Sequence, residues 1–481
     1  MVFSSLVFLC GFLPLVLIIY CLCPGKFRNF FLFVASLFFY AWGEPGYIII
    51  MLFSTVFDFC NGIVMERMDQ NGSPEKRKWI LFLSVFINIG ILCFFKYTGF
   101  VLENVEQITG ISISFSGPAL PIGISFYTFQ TLSYTIDVYR RKVSVQHNLI
   151  DFGMYVCLFP QLIAGPIVRY SEIEKEIAER STDWGQAAAG LYRFILGLSK
   201  KVILANQIGV LWDYISGLSK ADMSMSLAWL GALAYTFQIY FDFSGYSDMA
   251  IGLGQLLGFH FPENFRHPYM SQSITEFWRR WHITLGSWFR EYIYIPLGGN
   301  RKGLIRQIFN LLVVWFLTGL WHGAGWNFIL WGLYFFVLLL AEKLFLLEEM
   351  KHWYRALRHL YTMFFLVVGW AIFACDDIGT MLSYLGAMFG QGVSTGNEIA
   401  LYEWTSYGFF LVLLFVGSLD VPARAAAKIA EGIGNINVSL WKMSSRTTEG
   451  ILKFCIGAIL LGMCFAFLVS GSYNPFLYFR F

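Results

Sequence analysis

The chain has 481 residues, 57% of them hydrophobic and only 14% charged, with a formal net charge of +3 and a mean hydropathy of +0.60. An average soluble domain carries roughly 25% charged residues, so a water-soluble fold is disfavoured for want of charge to cover its surface, and the small net charge gives nucleic acid no purchase. A bilayer removes the first need because lipid solvates an apolar exterior, and the 19% aromatic content suits Trp and Tyr at the membrane–water interface.

Apolar runs that cross or nearly cross a bilayer fall at 3–22, 29–43, 46–64, 79–100, 118–136, 150–168, 188–212, 224–246, 307–322, 326–346, 361–375, 404–420 and 450–470. A full crossing takes about 20 residues, which predicts roughly ten to thirteen crossings, the shorter runs bending or stopping partway. The first run lacks a basic leader and a small-residue cleavage site, so it reads as a retained span. The cysteines mostly sit inside apolar runs, where they act as small hydrophobes.

Basic residues mark alternate connections. Lys26 and Arg28 follow the first run, Arg67, Lys76, Arg77 and Lys78 the third, and Arg140, Arg141 and Lys142 the fifth. Segment 101–117 carries Glu103 and Glu106 instead, which by the positive-inside rule sets the N-terminus outside. Toward the other end, Lys351, Arg355 and Arg358 read as inside and Asp376, Asp377 and Glu398 as outside. Arg424, Lys428, Lys442 and Arg446 then read as inside, which leaves the C-terminus outside as well. Nothing marks a second soluble domain. The chain is divided only for description, into N-terminal spans (1–117), a core (118–346) and C-terminal spans with an outer tail (347–481).

An ionisable group inside an apolar span costs roughly 2.5–3.5 kcal/mol, so each one is a candidate for function. In "TFQIYFDFSGYSDMAIG", Gln238 and Asp242 are four residues apart and Tyr246 continues the row, one face if the helix runs unbroken past Gly245. Hydrogen-bonded glue between helices reads the same way. Between Tyr246 and Arg306 the pattern is polar, aromatic and basic by turns, which predicts interfacial and re-entrant helices rather than spans. There Trp278, Trp281, His282, Leu285 and Phe289 recur at helical spacing, with Arg279, Arg280 and Arg290 around the axis. That suits either an amphipathic interfacial helix or a basic vestibule for a phosphate-bearing or acidic-protein-bound acyl donor. His322, in "WFLTGLWHGAGWNFILWG", stands sixteen residues beyond Arg306, about 24 Å along a helix in a hydrocarbon core of about 30 Å. Gly323 and Gly325 loosen or break the helix beyond it. An imidazole takes and returns a proton near neutral pH, so His322 is either a general base or a histidine hydrogen-bonded to a neighbouring helix.

At these residues the chain resembles the membrane-bound O-acyltransferase (MBOAT) family, in the bacterial branch of alginate O-acetylation and teichoic-acid D-alanylation enzymes. The resemblance runs through "PIGISFYTFQTLSYTIDVYR" (121–140), "LFPQLIAGPIVRY" (158–170), "YFDFSGYSDMAIGLGQLLGFHFPENFRHPY" (240–269), "FWRRWHITLGSWFREYIYIPLGGNR" (277–301), "TGLWHGAGWNFILWG" (318–332) and the final "YNPFLYFRF". It implies an all-α polytopic bundle with re-entrant and interfacial helices around a central tunnel, an inner pocket for the donor and an outer funnel for the acceptor. It further implies that His322 is the catalytic base and His282 a second catalytic histidine, which orients the donor or stabilises developing charge. Gln238, Asp242, Arg279, Arg280, Trp281 and Trp321 would then bind substrate or wall its path. The terminal motif implies that Tyr478 is an acyl relay on the outer face; an aromatic interfacial anchor would look alike.

The expected activity is transfer of an acyl group, most simply acetyl, from a cytoplasmic thioester such as acetyl-CoA to a cell-surface or secreted polysaccharide. No resident cofactor or metal is expected. Expected partners are membrane lipid, the acyl-thioester donor and extracytoplasmic polysaccharide-acetylating proteins, at a bacterial inner membrane. D-alanyl transfer to teichoic acid, a transporter using Gln238, Asp242 and His322, and an inactive scaffold are the alternatives.

Overall fold

The computed structural model describes residues 1–112, 117–421, 424, 428, 445–471 and 477. The described residues are helical, the one β feature among them being an isolated bridge between Ser224 and Ser394. Eight helices among them are long and apolar enough to cross a membrane. They are Ile48–Gln70, Pro74–Thr109, Trp184–Ser216, Leu304–His322, Trp326–Met350, Arg355–Ala374, Glu398–Ser418 and Gly450–Ser470.

That is fewer than the apolar runs predict, and the reason is length or polarity in each case. The runs at 3–22, 29–43, 118–136 and 150–168 become helices Val7–Leu22, Arg28–Ala41, Ile124–Tyr139 and Leu149–Cys157, none longer than 16 residues. At 1.5 Å per residue these fall short of a full crossing. Ile124–Tyr139 needs no lipid face, since nearly all of its residues are buried in protein. The run at 224–246 belongs to a 32-residue helix, Met225–Leu256, that is long enough but too polar to qualify.

Met225–Leu256 is the axis of the molecule. It is buried on every side from Leu227 to Gly254, apart from a few positions, so protein rather than lipid solvates its polar groups and the helix continues unbroken past Gly245. Its main partner is the antiparallel helix Trp184–Ser199. Two pairs of glycines set that contact, Gly197 against Gly245 and Gly190 against Gly252. A Cβ on Gly197 would stand 2.5 Å from the Gly245 carbonyl oxygen, and one on Gly245 would stand 2.7 Å from that of Gly197. Only glycine allows backbones so close, the usual device where helices pack within a membrane. Around this centre the outer helices are apolar on their exposed faces, with Phe53, Trp79, Phe82, Phe86, Phe409 and Phe454 turned outward, as lipid requires.

Between Leu256 and Leu304 the chain makes two short helices, Ile274–Arg280 and Ile283–Phe289, instead of one. The helical spacing of Trp278, Trp281, His282, Leu285 and Phe289 therefore does not describe a continuous helix. Trp281 is extended and His282 is left-handed, with φ 44°. A non-glycine residue holds such a conformation at a cost of about 1–3 kcal/mol, and only where its surroundings determine it. The resulting turn drives Trp281 and His282 into the protein, 3% and 2% exposed, while Arg279 and Arg290 stay outside.

Candidate active site

His322 is the last residue of Leu304–His322. The helix stops there because Gly323 is extended and a side chain on Gly323 would collide with the Phe328 ring. The imidazole lies edge-on among Trp321, Trp331 and Phe373, with ring centroids 4.9, 5.1 and 5.2 Å away. It is 8% exposed, and Nδ1 is enclosed with no hydrogen-bond partner among the described residues. The ring is not tied to a neighbouring helix; what is tied is its backbone. Lys96, from the long helix Arg77–Thr109, donates its ammonium group to the carbonyls of Trp321 and His322, the latter at 3.2 Å. A cation on the last carbonyls of a helix matches the negative end of its dipole. Tyr97 adds a hydrogen bond to the Leu320 carbonyl, at 2.6 Å.

Two cavities border this histidine. One is lined by Lys96, residues 120–126, Ile163, Trp321 and His322. It shares Lys96 and Leu120 with a neighbour walled by residues 323–325, Phe328, Phe373 and Asp376. The other lies between His322, Asp242, Phe243, Trp281, Trp370, Phe373 and Leu477.

His282 sits beyond Trp321, ring centroids 5.8 Å apart, and edge-on to Phe243 at 4.7 Å. Its Nδ1 is 3.1 Å from Oδ1 of Asn264, a fully buried residue. The helix leading into this turn is fixed from beyond the other histidine. Glu342, at the end of the helix that follows His322, accepts from the backbone N–H groups of Ile274 and Thr275 and from the Thr275 hydroxyl, at 2.6–2.8 Å.

Of the row on Met225–Leu256, only Asp242 borders a cavity that reaches His322. It pairs with Lys201 at 2.6 Å, both side chains 3% exposed, and accepts the Leu477 N–H at 3.0 Å. Gln238 is buried one turn away, and Tyr246 stacks on Phe3 with centroids 4.6 Å apart. Lys201 reaches Asp242 because residues Lys200–Ala205 form a π-helical turn, a local widening that often accompanies function. The same turn sends Lys200 to Asp248, at 2.6 Å. Trp321 and Trp281 line the two different cavities that border His322. Arg279 and Arg280 are not brought to the site. Arg279 is exposed, and Arg280 pairs with Glu276 at 2.7 Å, both about one-third exposed. Tyr478 lies outside the described residues, but its neighbour Leu477 is buried in the wall of the cavity that Asp242 borders.

Four residues escaped the sequence reading. Lys96 stands alone in an apolar run, so the insertion-cost argument applied to it as much as to His322. Lys201 gave a weaker signal, at the edge of a charge pair. Asn264 is neutral in a polar stretch and Glu342 one acid among several near a helix end; neither had a signal.

A bundle of apolar helices around a polar central helix, with a buried imidazole bordered by two cavities, defines a multi-pass membrane protein with a buried polar site. The sequence pattern of the membrane-bound O-acyltransferase family matches residues 34–385, and the chain belongs to that family. It is 39% identical over 500 residues to the probable alginate O-acetylase AlgI of Pseudomonas putida, across the whole of both chains. It is 35% identical over 531 residues to the peptidoglycan O-acetyltransferase of Helicobacter pylori, covering all of this chain and 98% of that one. The teichoic acid D-alanyltransferase of Bacillus subtilis is 28% identical over 271 residues, 53% of this chain and 68% of that one. The protein is thus a membrane O-acyltransferase.

Proposed function

We propose that the protein carries an acetyl group across a bacterial inner membrane, from a cytoplasmic thioester such as acetyl-CoA to an acceptor hydroxyl on the outer side, for O-acetylation of a cell-surface or secreted polysaccharide. The observation that carries this reading is the His322 imidazole, without a ring hydrogen bond among the described residues and bordered by two cavities. One cavity takes the acceptor and the other the acyl group. His322 removes the hydroxyl proton as the oxygen attacks the thioester carbonyl; the C–O bond forms, the C–S bond breaks, and the proton passes to the departing thiolate. A buried neutral histidine with an unoccupied ring nitrogen suits that cycle, since it must take up and give back one proton.

Trp281 and Trp321 wall the two approaches, and Asp242, steadied by Lys201, shapes the one that Leu477 also borders. Gln238 supports Asp242 from the adjoining turn. The cavities bounded by residues 120–126, 323–325 and Asp376 border segments that the charge pattern assigns to the exterior. By the same rule both termini are extracytoplasmic.

The first acceptor is Tyr478, whose phenol serves as a covalent nucleophile and passes the acetyl group to extracytoplasmic acetylating proteins. Support comes from Leu477, buried beside His322 and hydrogen-bonded to Asp242. Acetyl is favoured over D-alanyl by the two O-acetylating relatives, which match this chain along its full length. Full-length protein in vesicles, given a labelled acetyl donor and analysed by peptide mass spectrometry, should carry acetyl on Tyr478. Tyr478→Phe should carry none, and His322→Ala should neither acquire label nor acetylate polysaccharide while remaining in the membrane. An unlabelled Tyr478 alongside acetylated polymer would overturn the relay, and full activity of His322→Ala would overturn the mechanism.

A further inference from the structure

The hydrogen-bonding around Asn264 fixes which nitrogen of His282 holds its proton. Asn264 Oδ1 accepts the backbone N–H of Thr284 at 3.3 Å. A peptide N–H can only donate, so the atom facing it is the carbonyl oxygen of the Asn264 amide and not its nitrogen. The Thr284 hydroxyl reaches the same oxygen at 2.9 Å while accepting the Ile167 N–H at 3.0 Å, so its own proton is directed to Asn264. Nδ1 of His282 meets that oxygen at 3.1 Å and must therefore be the protonated nitrogen. The backbone leaves the ring little freedom to turn. Ile283 N–H donates to the Asn264 carbonyl and Arg266 N–H to the Arg280 carbonyl, both at 3.0 Å, so the left-handed turn at His282 is stitched to the 264–266 segment on both sides.

We propose that Asn264 is a positioning residue that locks neutral His282 in the Nδ1–H form, which leaves Nε2 a hydrogen-bond acceptor. The chemical consequence is specific. An imidazole in this form cannot donate from Nε2 to the oxyanion that develops on the thioester carbonyl. A reactant that meets Nε2 does so as a donor, through the acceptor hydroxyl awaiting His322 or an amide N–H of the thioester's carrier arm. This inference deepens the proposed function and rests on reading His282 as its second catalytic histidine.

Two measurements test it separately from that reading. Solid-state ¹⁵N spectra of histidine-labelled full-length protein in bilayers distinguish the two tautomers, the His282 signals being those missing from His282→Gln. The expected result is a protonated Nδ1 with an unprotonated Nε2 in the wild type, and loss of that single state in Asn264→Leu. A protonated Nε2 in the wild type would overturn the proposal, whatever the role of His282 in catalysis. In acyl-transfer assays Asn264→Leu should lower kcat by about 10–100-fold, the usual effect of removing a group that orients a reacting histidine, with KM for the donor little changed. Asn264→Asp keeps an acceptor oxygen in place and should recover most of that loss. Equal activity of the Leu and Asp variants, at similar membrane levels, would count against the assignment. Should Asn264→Leu fail to accumulate, the wild-type spectrum and the Asp variant decide. Donor analogues lacking the carrier amide separate the two sources of the proton: a loss of affinity in wild type that disappears in His282→Gln identifies the carrier arm, and no difference identifies the hydroxyl.

Discussion

The two histidines flank Trp321, yet the protein holds them in opposite ways. At His322 the backbone is clamped, through the Lys96 ammonium group on the carbonyls of Trp321 and His322, and the ring is left without a hydrogen bond among the described residues. At His282 the ring itself is held, by Asn264, within a turn whose left-handed backbone requires that support. The difference separates a ring open to the proton exchange proposed for His322 from a ring fixed in the one protonation pattern proposed for His282. Both arrangements place an imidazole accurately, but only the first leaves its chemistry open.

The contrast can be broken at several points. His322→Ala should lower acyl transfer by about 10²–10⁴-fold, the range for loss of a general base, with unchanged protein in the membrane fraction. A change of less than tenfold would erase the distinction between the two histidines. Lys96→Met should come next. It frees two buried carbonyls from a charged donor worth about 1.5–3 kcal/mol, and turnover should fall markedly while the apolar span still inserts. Preserved turnover would show that the helix end holds His322 unaided. Glu342→Leu strips the acceptor from two backbone N–H groups at the head of Ile274–Arg280, at a cost of about 1–3 kcal/mol. Its lowered thermal midpoint in detergent should be accompanied by faster hydrogen exchange in 274–282, with none in 304–322. Arg279→Ala should change stability by less than about 0.5 kcal/mol, as an exposed residue outside the site. A large rise in the donor KM for this variant would restore the basic vestibule that its sequence pattern invites.

How much of this was legible follows from where the free energy is decided. The apolar runs and the break after His322 were readable because lipid imposes length and glycine imposes termination, both properties of neighbouring residues. The continuity of the Gln238–Asp242–Tyr246 helix past Gly245 was left open, because what Gly245 serves is the close approach of another helix. The turn at Trp281–His282 was not readable. Its residues keep helical spacing, and what breaks the helix is the pairing of 280–283 with 264–266, a contact between segments. Length misled at Ile124–Tyr139 as well, where an apolar run is sheathed by protein instead of lipid. The site's polar framework divides likewise. Lys96 announces itself by charge in an apolar stretch, whereas Asn264 acquires its meaning only from the donors that the fold gathers around its oxygen.

The Leu477 N–H donates to a carboxylate 235 residues earlier in the chain, Asp242, and its side chain closes one wall beside His322. Leu477 is synthesised after every helix described here, so this wall cannot exist while the protein is still being threaded into the bilayer. A nascent chain stalled before that point would hold both histidines and all eight spans and still have an open breach next to the imidazole. The wall beside His322 is thereby closed only after Gly450–Ser470 has been made, by a contact between segments far apart in the chain.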